Sequence, residues 1–151
     1  MIFIAHRGNI SGKISHKENS PEYIVDALNK GFYVEIDLWK TENGLYLGHD
    51  NPDYPTNKKF VDNPYFFVHC KNIEALSWCI EQDIYSSYFW HEEDHCTLTS
   101  KQQIWVYPGK KLISGCIAVM PEIAYDGMLE KCYGICTDYA ENAKQDLNFF
   151  L

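Results

Sequence analysis

Two short stretches near the amino terminus hold most of the residues that could do chemistry. His6-Arg7-Gly8 follows an apolar run, and further along come Glu35-Ile36-Asp37 and then His49-Asp50. Arginine grips a phosphate through paired N–H groups. Imidazoles exchange protons near neutrality. Two neighbouring carboxylates suit a hard divalent cation. Together these residue types could hold a cation, seat a phosphate and move a proton at each end of a phosphodiester.

Each member also has a plainer reading. Glu35 and Asp37, two apart on a strand, share one face with Cα atoms roughly 6.5–7 Å apart. Inside a sheet they would repel unless a cation lay between them; on an exposed edge they would simply be solvated. His6-Arg7 and His49-Asp50, each taken alone, read more readily as surface turns. His69 and Lys71 share a face at the end of another apolar run. Lys71 could meet a phosphate, and His69 could bind metal or carry a proton, or the pair could be a core histidine and a helix-start lysine. His91-Glu92-Glu93-Asp94-His95 has a metal-like composition, but contiguous residues rarely converge on one ion, and a solvated loop is expected. Trp39, Trp90, Trp105 and Tyr107 read as core, with those near strand ends available to line a pocket.

The elements that must position these residues are legible in the patterning. Ile2–Ala5 reads as a short buried strand. Ser20-Pro21-Glu22 starts a helix with a capping hydroxyl, a proline at its first position and an early acid; Gly31 ends it. Tyr33–Leu38 is a strand with Val34, Ile36 and Leu38 on one face and Glu35 and Asp37 on the other. Asn43-Gly44 signals a two-residue hairpin turn, which would pair Leu38 with His49 and Asp37 with Asp50. Tyr65–Cys70 is a further strand, leading into a helix over Asn72–Glu81 with Ile73, Leu76 and Ile80 aligned. Strands follow at Ser86–Trp90, Ile104–Tyr107, Cys116–Val119 and Gly134–Cys136, then a last helix at Tyr139–Leu147. Strands alternating with helices imply a parallel sheet, whose ligands gather at the carboxyl ends of its strands. His6, Asp37 and Lys71 each fall at or just after such an end.

Composition bounds the possibilities. The 151 residues suit one domain spanning 1–151, and 46% apolar and 15% aromatic content suits a globular chain. A formal charge of −8 argues against binding nucleic acid or an anionic membrane by bulk electrostatics. The apolar start is too short for a signal peptide, and no stretch approaches the ~20 apolar residues of a membrane span. The six cysteines form no CxxC pair, so they read as buried thiols of a reducing, cytoplasmic compartment.

Taken in order, Ile-Ala-His6-Arg7-Gly8, Glu18-Asn19-Ser20-Pro21-Glu22, Ala27, Gly31, Glu35-Ile36-Asp37, Thr41, Gly44 and His49-Asp50 resemble the glycerophosphodiester phosphodiesterase family, within the wider group of barrel phosphodiesterases that includes phosphatidylinositol phospholipase C. The likeness thins after residue 50. It returns at Tyr65–Lys71 and at Gly134-Ile135-Cys136-Thr137-Asp138-Tyr139. The resemblance implies an α/β barrel of TIM type with a divalent cation at its mouth, hydrolysing a small glycerophosphodiester. It implies His6 and His49 as the acid–base pair, Arg7 and Lys71 as phosphate contacts, Glu35 and Asp37 as metal ligands, and Glu18 as a further site residue.

Two departures qualify that expectation. His69 stands where the family has a glutamate ligand, which brings Mn²⁺ and Zn²⁺ into range beside Mg²⁺ and Ca²⁺. The chain is also far shorter than the ~250 residues of a full barrel, so a compact or incomplete barrel with trimmed helices is expected, with an edge that a second copy could cover in a dimer. Two other outcomes stay open: a lyase that yields a cyclic phosphate, and a module that binds a phosphate-bearing ligand without turning it over.

Overall fold

In the computed structural model, which describes residues 1–151, strand follows apolar alternation closely. Strand β1 (Ile2–His6) lies between β2 (Tyr33–Thr41) and β10 (Gly134–Thr137), parallel to both. On its other side β2 carries β5 (Phe66–Cys70), and β5 carries β6 (Ser87–Phe89), again in parallel. Beyond β10 come β9 (Ile117–Val119) and β8 (Ile104–Val106), also parallel. Three antiparallel strands complete the ten: β3 (Gly44–Leu47) on β2, β4 (Tyr54–Thr56) on β3, and β7 (Cys96–Leu98) on β8.

The two faces of the sheet are chemically distinct because side chains alternate. Val34, Ile36, Leu38, Phe66, Val68 and Cys70 pack outward under the helices. These helices are α1 (Pro21–Asn29), the one-turn α2 (Lys58–Val61), α3 (Ile73–Glu81) and α4 (Ala140–Gln145). Ser20 caps α1, its Oγ accepting the Tyr23 N–H, and Asn72 caps α3 in the same way. The inner face buries Ile4, Phe67, Phe89, Trp105, Ile117 and Cys136. Above this apolar floor, at the carboxyl ends of the strands, the same face carries His6, Glu35, Asp37 and His69.

The expected TIM-type barrel, even an incomplete one, is not what forms. The sheet is mixed, curled and open, and strand does not alternate with helix around it. Only α1 and α3 are sizeable helices joining two parallel strands. The β8–β9 and β9–β10 connections carry no α-helix, only a single 3₁₀ turn at Leu129–Lys131. At the open edge β6 meets no further strand. Its Tyr88 N–H donates instead to Ser100 Oγ at 3.0 Å, and Tyr88 O accepts the Ser100 N–H at 2.8 Å.

Three local expectations also shift. The β2–β3 loop is Glu42-Asn43, so Thr41 pairs with Gly44 and Leu38 with Leu47 rather than His49. Neither loop residue has positive φ; Gly44 takes it instead, at 132°, and the Thr41 hydroxyl accepts the Asn43 N–H at 3.2 Å. In α3 the buried face is Ala75 and Cys79, while Ile73 and Ile80 are exposed. Strands β4 and β7, short and partly exposed, carry too little apolar alternation to be read from sequence. All six thiols are free and only Cys96 is exposed. No helix is long and apolar enough to cross a membrane.

Candidate active site

The carboxyl ends of the parallel strands surround a cavity of about 950 Å³. His6, Arg7, Glu35, His49, His69 and Lys71 all line it. Asp37 lies fully buried directly beneath, and Glu18 lines a smaller cavity next to it, shared with Arg7 and His49. Every candidate read from the sequence therefore falls in one neighbourhood, drawn from β1, β2, β5 and three loops.

Glu35 and Asp37 project from β2 into this interior. With His69 they form a cluster whose ligand atoms all lie within 4.8 Å of one another. His69 Nδ1 stands 3.2 Å from Asp37 Oδ1 and 3.9 Å from Glu35 Oε1. Burial, then the neighbouring Asp37 charge, push the Glu35 carboxyl above its ordinary range. Burial would push Asp37 upward too, but contact with His69, then Arg7 and Lys71, outweighs it and holds Asp37 well below the usual carboxylate range. Its Oδ1 is buried and accepts no aligned hydrogen bond. Two carboxylates and an imidazole converging on a buried, unshared lone pair fit a divalent cation, with the nitrogen donor widening the choice toward Mn²⁺ and Zn²⁺.

The two catalytic candidates are held differently. His6 Nδ1 lies 2.7 Å from Asp138 Oδ1, and its Nε2 faces Glu35 Oε2 at 4.0 Å. Asp138 is held below its ordinary pKa: burial opposes this, but its hydrogen bond and charge contact with His6 outweigh burial. It therefore stays ionised and only accepts, so Nδ1 must carry the proton. Burial alone would lower the His6 pKa; the Asp138 hydrogen bond and the Glu35 charge outweigh it and raise it. His49 sits just past β3, with Nδ1 2.8 Å from the exposed Asp50. Burial, and then the Arg7 charge, lower its pKa. Gly48 sets its place: the Gly48 N–H donates to Asp37 O at 3.2 Å, and Gly48 O accepts from Trp39 Nε1 at 2.6 Å.

Arg7 has a left-handed backbone, φ 54°, which turns its side chain back across the site. Its Nε lies 3.0 Å from Asp37 Oδ2, and a terminal nitrogen lies 3.4 Å from Glu18 Oε2. Lys71 Nζ is 3.8 Å from Asp37 Oδ1. Two buried asparagines tie this cluster down. Asn9 Nδ2 donates to both Glu18 and Asp138, at 2.8 and 2.9 Å. Asn19 donates to Asp37 Oδ2 at 2.8 Å and accepts the Asp37 N–H at 2.9 Å.

Four residues of this neighbourhood were not singled out as site residues from sequence. Asp138 lay in the closing motif with no role assigned. Asn9 and Asn19 act only through tertiary hydrogen bonds, which no spacing announces. His91 was read as part of a solvated loop, yet its side chain is 7% exposed, with Nδ1 3.9 Å from Asp94 Oδ2, lines the cavity, and has no hydrogen bond at either ring nitrogen. Comparison with known proteins yields no matching family, curated protein or solved structure.

Proposed function

We propose that the protein is a metal-dependent phosphodiesterase that hydrolyses a glycerophosphodiester-like substrate by acid–base catalysis between His6 and His49. One observation carries this reading. A single cavity is lined by two imidazoles shifted in opposite directions, by Arg7 and Lys71, and by Glu35, whose carboxylate groups with His69 and with Asp37 buried beneath. Oppositely tuned titratable groups in one site are the arrangement that acid–base chemistry requires.

In this reading Glu35, Asp37 and His69 hold the cation. When bound, it would polarise a phosphoryl oxygen and offset the charge that develops there. Arg7 and Lys71 offer positive charge to the other phosphate oxygens, from positions fixed by Asp37 and Glu18. His49, with its lowered pKa, is neutral near pH 7 and takes the proton of the attacking hydroxyl or water. His6, with its raised pKa, carries the proton that the leaving alkoxide needs. Asp138 positions His6 by holding its Nδ1–H, which leaves Nε2 toward the cavity.

A second reading is favoured by the surroundings of Asp37. Arg7 and Lys71 already place two cationic side chains around that carboxylate, with the His69 imidazole 3.2 Å away, as a phosphate-binding module without turnover would also do. Assay of a panel of glycerophosphodiesters with Mg²⁺, Ca²⁺, Mn²⁺ and Zn²⁺ separates the two. The phosphodiesterase reading expects a phosphomonoester and an alcohol by phosphorus NMR, with His6→Ala lowering kcat by about 10²–10⁴-fold. Full activity in that variant would remove His6 from the mechanism. Tight binding with no turnover under any of the cations would favour the binding module.

A further inference from the structure

The charged wall accounts for only part of the cavity. About 950 Å³ is at the upper end of the roughly 300–1,000 Å³ typical of small-ligand sites, more than a phosphate with glycerol and a small alcohol would fill. Much of the remaining lining is apolar, including Trp90, Tyr107, Met120 and Ile123.

The β9–β10 connection is built to present the last two. Met120 has φ 49°, a left-handed conformation that bulky side chains rarely adopt, and it directly precedes Pro121, which further restricts it. Its N–H donates to Cys136 O at 2.7 Å, and its carbonyl accepts the Ile123 N–H at 2.9 Å. Between them Glu122 is turned back onto β10, its Oε1 accepting the Asp138 N–H at 2.8 Å. The turn thus sends its carboxylate to the strand end and leaves Ile123, 67% exposed, at the cavity rim. Backbone strain of this kind persists where a site needs a side chain in one place. Methionine is also the apolar residue that adapts best to a flexible ligand. A charged cluster and apolar side chains lining one cavity match an amphiphile.

We infer that this wall is a subsite for a hydrocarbon chain, so that the diester taken by the site carries an acyl or alkyl group on its glycerol. This rests on the phosphodiester reading above and names its substrate class. Such a chain could arrive on a free single-chain amphiphile or on a bilayer lipid; the apolar wall runs from Trp90 and Met120 in the concave cavity out to Ile123 at its rim, and a free amphiphile is the form a concave site of this kind takes.

Calorimetric titration reads the subsite without requiring turnover. The probes are glycerophosphoethanolamine with no chain, with a hexanoyl chain and with an octanoyl chain, below micelle-forming concentrations and with Mn²⁺ present. Affinity is expected to rise at least about tenfold from the bare to the octanoyl compound. Ile123→Glu and Met120→Gly should each remove most of that gain. Met120→Gly relieves the positive φ, and its melting temperature, read beside the parent's, separates loss of the chain contact from loss of folding. Equal affinity across the series overturns the inference. So does binding of the octanoyl compound only when it is presented in vesicles. Hydrolysis of the same compounds, followed separately by phosphorus NMR, decides the phosphodiesterase reading, so the two can fail independently.

Discussion

At the scale of single residues, the His6–Asp138 contact does the most to define the site. A buried aspartate that holds an imidazole by one nitrogen fixes both its tautomer and its direction. Asp138→Asn should therefore lower kcat by about 100-fold or more while changing KM little, which steady-state kinetics on the diester would show. The same pair shapes stability. The raised His6 pKa contributes stability that is complete below the ordinary value of 6.5 and is lost as pH rises through the raised one. The lowered Asp138 pKa contributes stability above the ordinary 3.8 that is lost as pH falls through the depressed one. The difference in melting temperature between the parent and Asp138→Asn should be largest between about pH 4 and pH 6.5 and shrink on either side. A flat difference across pH would show that the pair is not the ionised contact described. His6, Arg7 and Glu35 were legible as chemistry because their types are unusual around a buried strand. Asn9 and Asn19 were not, because a buried amide declares itself only through partners distant in sequence.

At the scale of elements, the β2–β3 hairpin carries His49 to the site by a route different from the one its turn residues suggest. The expected register placed His49 opposite Leu38, and the observed one places Leu47 there. His49 reaches the cavity from the loop beyond the strand, and Gly48 makes that possible. At φ 152° a side chain here would bring a Cβ within 1.9 Å of Asn51 O. Gly48→Ala is expected to destabilise by about 1–3 kcal/mol and to cut activity by more than the loss of folded protein explains, since the loop must move. Denaturant melts read beside specific activity would check this. Activity in proportion to folded protein would mean that His49 does not depend on this loop's geometry. The helix α3 teaches a related lesson: Ile73 and Ile80 share a helical spacing, yet packing on β2 and β5 selects the smaller Ala75 and Cys79 for the interface, because close approach to a sheet favours small side chains there.

For the whole molecule, the open sheet and the buried acid pair are linked. Glu35 and Asp37 lie on the inner face of a curled sheet, where burial and mutual repulsion raise the Glu35 pKa. A raised carboxyl pKa makes the protein lose stability as pH rises from the ordinary value through the raised one. In the proposed reading, a divalent cation would offset the same repulsion between the two acids. Added Mn²⁺ is therefore expected to raise the melting temperature by about 5–10 °C at a hundredfold excess over its Kd, more at pH 8 than at pH 5, and Glu35→Gln should abolish the rise. An equal rise in that variant would place the cation elsewhere. The amino-acid sequence by itself determined most of the strands, the two faces of β2 and the acids, imidazoles and cationic groups available to a site, because side-chain alternation and residue type act locally. Only the tertiary structure decided that the sheet stays open, that His49 arrives from a loop, and that Asp138 and His91 join the site. Closure of a sheet depends on pairings between distant strands, and a cavity on the space left between them, and neither is written in any local stretch of chain.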